Sequence, residues 1–209
     1  MPDGQPLGLR ERKKLDTRRA LSDAALELMF ERGLENVVRE DIAARAGVSV
    51  RTFNNYFSGK FDALAFRQLD RVRRTIEILG SRPAEEPLWE AITAAVIGPM
   101  EADALADGNA ELRIPTPEQL GETRKLIAAP EMRAMLSKGV EDDLIAAIAA
   151  RTGTDPERDM YPRLVAGAVF IAQQAAIEIY VRAEPPVPVN TLIRQALATF
   201  AAGLPQPAP

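Results

Sequence analysis

The chain has 209 residues, enough for one large or two small domains, and its 46% hydrophobic and 27% charged residues are typical of a globular protein. It contains neither cysteine nor histidine, which excludes disulfides, Cys/His zinc sites and Ser-His or Cys-His nucleophiles and favours the reducing cytoplasm. The net charge of −4 is uneven, because residues 1–60 hold eleven basic and nine acidic side chains, whereas residues 61–209 hold fifteen and twenty-one.

The start of the chain combines a predicted flexible arm, residues 1–9, with a basic stretch. Residues 10–19 carry six Lys or Arg and two acidic residues. We therefore expect only this end of the chain, and not the acidic remainder, to bind a polyanion. A solvated helix start with surplus basic residues would give the same pattern. The first nine residues lack the apolar core of a signal peptide, and the uncharged run 164–177 is too short to span a bilayer. We therefore expect a cytoplasmic protein without a membrane partner.

Nearly everything between the Pro/Gly-rich ends has helical character, which predicts an all-α fold. In the first helix, Leu21, Ala25, Leu28 and Met29 share one face, and Gly33 ends it. A linker is expected at 81–87 and a loop at 108–117. The predicted helices span residues 12–32, 38–46, 50–56, 60 onwards, 88–106 with a kink or break at Pro99, 118–128, 130–151, 157–183 and 189–202.

The second and third helices are joined by a tight turn at Gly47, and Ser49 is suited to cap the third helix. Such a pair forms a helix-turn-helix, whose second helix can enter the major groove of DNA. Arg51 can donate to guanine, and Asn54 and Asn55 can pair with adenine. A small helical subdomain with a polar face is the alternative interpretation. Thr52, Tyr56 and Lys60 suit phosphate oxygens, whereas Phe53 and Phe57 suit packing against Leu28 and Ile42.

Two stretches, ALELMFERG and DIAARAGVSVRTFNNYFSGKFDAL, closely resemble the N-terminal domain of the TetR family of bacterial transcriptional regulators. The resemblance covers residues 17–64. It implies a homodimer that binds a palindromic operator on double-stranded DNA, usually as a repressor released by a small ligand. It also implies that residues near Val50, Arg51, Asn54 and Asn55 contact bases and that Thr52, Tyr56 and Lys60 contact phosphates.

Three positions depart from the pattern of that family. Val38 stands where a threonine often caps the second helix, and valine can neither cap a helix nor bind a phosphate. Either Asn36 caps the helix instead or one phosphate contact is lost. Gly59 replaces the usual serine before the lysine, and Phe61 replaces the acidic residue after it.

The predicted architecture is therefore a three-helix helix-turn-helix domain over residues 10–60 and a C-terminal helical bundle over residues 61–205. The resemblance assigns ligand binding and dimerisation to the bundle. The two last helices are the most apolar, and they are either the dimer interface or interior helices of a monomer. We expect the dimer, because a helix-turn-helix needs two half-sites about 34–36 Å apart. The apolar residues of these two helices include Val165, Val169, Phe170 and Ile177, followed by Leu192, Ile193, Leu197 and Phe200.

Large or soft apolar side chains on several helices are candidates for lining a ligand pocket, together with two glutamines in an apolar helix. The segment TRKLIAAPEMRAM, residues 123–135, also resembles a subgroup whose C-terminal domain is likened to acyl-CoA-type ligand binders. An apolar or amphipathic effector is therefore expected, and no cofactor or metal. The candidate pocket residues are Trp89, Met100, Met132, Met135, Phe170, Gln173 and Gln174.

Two other functions remain open at this point. The chain could activate transcription, or act on DNA without a small ligand. It could also be an enzyme or small-molecule carrier with a vestigial helix-turn-helix, using groups such as Glu178 and Tyr180. No partner for those two groups is evident, so we expect a regulator and not an enzyme.

Overall fold

The computed structural model describes residues 8–106, 115–136 and 140–206. Across these ranges the chain forms ten α-helices and one short 3-10 helix, Leu34–Asn36, with no strand. The all-α prediction is confirmed. The helices are α1 Leu9–Arg32, α2 Arg39–Arg45, α3 Val50–Tyr56, α4 Lys60–Ser81, α5 Leu88–Ala106, α6 Pro117–Ala128, α7 Pro130–Leu136, α8 Val140–Thr152, α9 Met160–Tyr180 and α10 Val189–Ala201.

Most predicted boundaries agree with these helices within three residues. α5 continues through Pro99, so of the predicted kink or break at this residue the break is wrong. α9 begins at Met160 and not at residue 157, because the carboxylate of Asp155 accepts hydrogen bonds from the backbone N–H groups of Glu157 and Arg158 and holds them in a turn. The predicted helix 130–151 is described as α7 and α8, and residues 137–139 between them lie outside the described residues, as does most of the predicted loop 108–117.

Two compact units make up the chain, and the first contains residues 1–69 together with Lys125–Leu136. Its core is built from α1 to α3, the start of α4 and the short α6–α7 segment. Leu126 and Met132, each 7% exposed, belong to the same buried cluster as Leu28 and Phe53. This cluster fixes the geometry of α2 and α3.

The second unit contains residues 70–124 and 137–209. In it α9 packs against α8 and α10, and α10 also packs against α5. Ile92, Ile148, Val169 and Leu197 are almost fully buried at its centre. None of the helices in the described ranges is both long and apolar enough to cross a membrane.

An ion-pair cluster joins α4 to α5 inside this second unit. Arg71 Nε lies 2.8 Å from one carboxylate oxygen of Asp103, and Arg74 Nη2 lies 2.8 Å from the other. Arg74 Nε is also 3.2 Å from the carboxylate of Asp70, which is buried. Burial raises the pKa of Asp103, but the hydrogen bonds and charges of the two arginines outweigh it and leave that pKa below its ordinary value.

The outer face of α9 is apolar as well as its inner face. Val165 and Val169 are buried within the unit, so they are not available as interface residues in the way the sequence suggested. A separate stripe is exposed instead, at a spacing that keeps it on one side of the helix. Its large members are Tyr161 (49% exposed), Leu164 (66%), Ile171 (59%) and Ile179 (56%).

Candidate DNA-binding surface

The turn between α2 and α3 depends on Gly47, whose φ of +68° lies in the left-handed region that disfavours residues with a Cβ. Gly47 N–H donates to the carbonyl of Ala44 at 3.1 Å, and Val48 N–H donates to that of Ala43 at 2.9 Å. These bonds satisfy carbonyls at the end of α2 while the chain reverses. The predicted glycine turn is confirmed.

Ser49 begins α3 in the predicted way. Its Oγ accepts a hydrogen bond from Thr52 N–H at 3.1 Å and lies 2.9 Å from Thr52 Oγ1. The cap satisfies one of the free N–H groups in the first turn of a helix only seven residues long. The hydroxyl of Thr52 is thereby held beside the helix N-terminus.

Aromatic packing fixes how α3 is rotated about its axis. Phe53 is fully buried and Phe57 is 3% exposed, in the same cluster as Leu28 and Ile42, as predicted. The Phe57 ring lies 5.7 Å from that of Phe66 in an edge-to-face arrangement. Since Phe53 and Phe57 point inward, the opposite side of α3 faces solvent.

The solvent-facing side of α3 carries the polar groups that the sequence singled out. Arg51, Asn54 and Asn55 are exposed, and their side chains have no hydrogen bond or ion pair within the part of the chain that the structure describes. Thr52 and Tyr56 are half-buried beside them. Val50 is half-buried too and packs against the core of the first unit. The structure thus brings these six residues together on one short helix.

Lys60 has an arrangement that sequence reasoning missed. Its Nζ donates to the carbonyl of Leu34 at 2.9 Å and lies 3.4 Å from that of Glu35, and it sits 5.7 Å from the centre of the Phe61 ring. An ammonium group has three donors, so two are used inside the unit and one remains. No local sequence signal reveals this contact, because lysine and carbonyls are 25 residues or more apart.

The start of α2 lacks the cap that the family pattern often has. Val38 occupies the cap position with φ −125° and ψ 153°, and no side chain caps the helix there. The alternative of a cap by Asn36 is wrong, because its Nδ2 donates to the carbonyl of Arg32 at 2.7 Å. Asn36 therefore closes the end of α1 instead of opening α2.

Ion pairs on the outer surface connect α1 to α2. Arg45 donates through both Nη atoms to the carboxylate of Glu31 at 2.9 and 2.7 Å, and reaches Glu27 at 3.1 Å. The hydrogen bonds from Arg45 lower the pKa of Glu31. Arg32 pairs with Asp41 at 2.9 Å. The side chains in these pairs are between 32% and 59% exposed, so the pairs orient the two helices more than they stabilise them.

The candidate pocket residues do not form one group. Trp89, Met100 and Phe170 pack around the core of the second unit, and the Trp89 ring stacks on that of Phe200 at 6.1 Å. Met132 and Met135 belong to the core of the first unit. Gln173 is half-buried, whereas Gln174 is exposed and donates to Glu178 at 3.1 Å.

A short helix that is held by two buried aromatic rings, follows a glycine turn and presents free arginine and asparagine side chains defines a helix-turn-helix DNA-binding protein. Comparison with protein families agrees. A model described as bacterial regulatory proteins of the tetR family matches residues 21–65, and one described as the MftR C-terminal domain matches residues 86–205. The chain belongs to the TetR family of transcriptional regulators.

Individual relatives agree with this assignment. The HTH-type transcriptional regulator TcmR of Streptomyces glaucescens is 32% identical over 183 residues, covering 85% of this chain and 79% of TcmR. A TetR-family regulator from Syntrophomonas wolfei has a similar fold, with a TM-score of 0.60, 17% identity and coverage of 92% and 98% of the two chains.

SmeT is a further structure with this fold. SmeT represses the multidrug efflux pump SmeDEF of Stenotrophomonas maltophilia. Its complex with triclosan has a TM-score of 0.56, 17% identity and coverage of 93% of this chain and 99% of SmeT. At this identity the likeness concerns the fold alone.

Proposed function

We propose that this regulator is a homodimeric repressor that binds a palindromic operator through α3 and is released by an apolar or amphipathic small molecule. The observation that carries the proposal is the outward face of α3, where Arg51, Asn54 and Asn55 are exposed without partners in the described parts of the chain. Desolvating such groups is favourable only against a surface that offers matching hydrogen bonds.

The roles along α3 follow from chemistry and position. Arg51, in the first turn of α3, reads guanine, and Asn54 and Asn55 read adenine or other base edges, with Val50 nearby. The Thr52 hydroxyl, held beside the Ser49 cap, and the Tyr56 hydroxyl bind phosphate oxygens. Lys60 contributes its remaining donor to a phosphate while two others hold the carbonyls of Leu34 and Glu35.

The dimer is proposed to form through α9 and α10. The stripe of Tyr161, Leu164, Ile171 and Ile179 leaves large apolar side chains 49–66% exposed in the single chain, which is unfavourable in a monomer and typical of an interface. Pairing the two helices with those of a second copy gives a four-helix bundle about a two-fold axis. That symmetry matches two half-sites about 34–36 Å apart on DNA.

These assignments give each part of the chain its own function. Residues 10–60 bind DNA after the arm at 1–9, and residues 61–205 bind the effector and the second copy. Trp89, Met100 and Phe170 supply the apolar environment that an apolar effector needs, and Gln173 supplies a polar group in its otherwise apolar helix. Among fold relatives, SmeT in complex with triclosan is an example of a small-molecule complex.

Selection of genomic fragments at low salt, followed by binding measurements, tests the DNA-binding role. Arg51→Ala is expected to cost about 1–3 kcal/mol on the selected operator and to relax the preference at one base position. Lys60→Ala is expected to weaken the operator and its mutated versions alike. Failure of the intact chain to enrich any fragment would refute the proposal, and equal effects of both variants on every sequence would refute the assigned roles.

The dimer has its own test. Ile171→Glu places a charge in the exposed stripe, whereas Glu157→Gln changes an exposed position outside it. Sedimentation equilibrium is expected to show a dimer for the wild type and Glu157→Gln and a monomer for Ile171→Glu. A dimer that survives Ile171→Glu unchanged would place the interface elsewhere.

A further inference from the structure

The start of α10 contains a buried amide without a partner. Asn190, the second residue of this helix, is only 9% exposed. Its Oδ1 is closed off from solvent and accepts no hydrogen bond from any residue that the structure describes. A buried acceptor without a donor is unfavourable, and in native proteins such an atom is usually explained by a bound group or a functional role. The amide of Asn190 therefore has a binding capacity that the fold itself does not use.

The surroundings of this amide are apolar. Asn190 lies on the same face of α10 as Ile193 and Leu197, three and seven residues further on, and both belong to the buried cluster of the second unit. Val189 and Leu192 are half-buried and also pack against that cluster. Asparagine is rarely buried, and an apolar side chain would suit this position better by packing alone. Its presence here points to a hydrogen bond and not to packing.

Free backbone donors lie beside the amide. α10 begins after Pro188, and no side chain caps it. The N–H groups of Thr191 and Leu192 point back to the carbonyl of Pro188 at 3.1 and 3.5 Å. Those of Val189 and Asn190 have no acceptor among the described residues, and the first turn contains no acidic side chain. Since helix side chains tilt toward the N-terminus, the amide and these two N–H groups lie together at one end of α10.

An ion pair locates this end of α10 against α5. Arg194 Nη2 lies 2.7 Å from Glu101 Oε1, and Asn190 is one helical turn before Arg194, about 6 Å along the axis. Met100, next to Glu101, packs against the same buried cluster as Asn190's neighbours. The polar atoms at the start of α10 therefore occur beside apolar surface from α5.

We propose that Asn190 and the first turn of α10 form the polar end of the effector site and bind a hydroxyl group on an otherwise apolar molecule. The inference rests on the proposed function and deepens it by naming the chemistry of the effector. A hydroxyl is both donor and acceptor, so it donates to Asn190 Oδ1 while its oxygen accepts from the free N–H groups. It also fits the amide turned over, with nitrogen and oxygen exchanged. A carboxylate only accepts and would leave Oδ1 without a donor.

Three matched probes test the inference on the full chain. They are 4-propylphenol, 4-propylanisole, in which a methyl group replaces the hydroxyl proton, and 4-propylbenzoate. Dissociation constants are measured by calorimetry and by the fluorescence of Trp89, the single tryptophan of the chain. Asn190→Leu removes the amide and keeps a side chain of similar size, and Gln195→Leu removes an exposed amide from the same helix as the control. Urea unfolding is measured for both variants.

The wild type and Gln195→Leu are expected to bind the phenol more tightly than the benzoate. The anisole-to-phenol ratio of dissociation constants is expected to be about fivefold lower in Asn190→Leu than in the wild type, the value of one net hydrogen bond. The urea midpoint of Asn190→Leu is expected to equal or exceed that of the wild type, because the unpaired buried atom is gone.

An unchanged ratio in Asn190→Leu overturns the inference, as does the absence of saturable phenol binding to the wild type. Tighter binding of the benzoate than of the phenol overturns the assigned hydroxyl. A lowered urea midpoint for Asn190→Leu would show that the amide holds the fold together, which also overturns the inference. All of these results leave the proposed function standing if the chain selects an operator, and failure to select one refutes that function whatever the probes show.

Discussion

The start of α2 has no side-chain cap, and Val38→Thr should supply one. Val38 has the extended backbone that a capping residue needs, yet its side chain accepts no hydrogen bond, and it is 47% exposed. In Val38→Thr a hydroxyl replaces one methyl group without any backbone change. Its oxygen can accept from the N–H of Glu40 or Asp41, two of the free donors in the first turn.

The expected gain is modest but measurable. A threonine cap contributes about 1 kcal/mol. Losing one half-buried methyl group costs about 0.4 kcal/mol, half of the value for a fully buried group. The net increase in the free energy of unfolding is then about 0.6 kcal/mol, or a rise of about 1–2 °C in Tm for a chain of this size.

Urea unfolding followed by far-UV circular dichroism measures the difference. Val38→Ala is the matched control, because it removes both half-buried methyl groups, at a cost of about 0.8 kcal/mol, without adding a cap. The threonine variant should exceed it by about 1.4 kcal/mol, the sum of the cap and one methyl group. If the threonine and alanine variants unfold at the same urea concentration, no cap forms and the account of the start of α2 is wrong.

Three further predictions concern contacts inside each of the two units. Lys60→Ala should lower the free energy of unfolding by about 1–2 kcal/mol, measured in urea, because it leaves backbone carbonyls without their charged donor. Asp103→Asn should lower it by about 1–3 kcal/mol at pH 7, because Arg71 and Arg74 lose their shared carboxylate. The pKa of Asp103 is lowered in the folded chain, so this stabilisation is complete above about pH 4 and is lost as pH falls through the folded-state pKa. The difference in the free energy of unfolding between Asp103→Asn and the wild type, measured over a series of acidic pH values, should narrow in this pH range. Met132→Ala should cost about 2–5 kcal/mol and reduce hydrogen-exchange protection in α1 to α3, and full protection there would contradict its place in that core.

The parts of the fold that sequence predicted well are those that local chemistry determines. The bounds of α3, the turn at Gly47 and the cap at Ser49 each depend on residues within four positions of one another. The inward direction of Phe53 and Phe57 follows from helical spacing and their size. For the same reason the exposed face of α3, and with it the candidate site, follows from the sequence pattern.

The features that sequence did not predict depend on contacts between distant residues. No local pattern indicates that Lys60 reaches the carbonyl of Leu34, or that Met132 is buried among residues of α1 to α3. α9 posed a different difficulty, because it is apolar on two sides. Periodicity could not tell that Val169 faces the interior and Ile171 faces solvent.

The return of Lys125–Leu136 to the first unit has a consequence for how the chain can be divided. A fragment ending at Leu69 contains every residue of the helix-turn-helix but lacks two buried side chains, Leu126 and Met132. Such a fragment would expose an apolar hole where those side chains insert, and solvent would reach Leu28 and its neighbours. The helix-turn-helix unit therefore cannot be cut out as residues 1–69 with its buried core complete. Roughly the first two thirds of the polypeptide must be synthesised before that core can form.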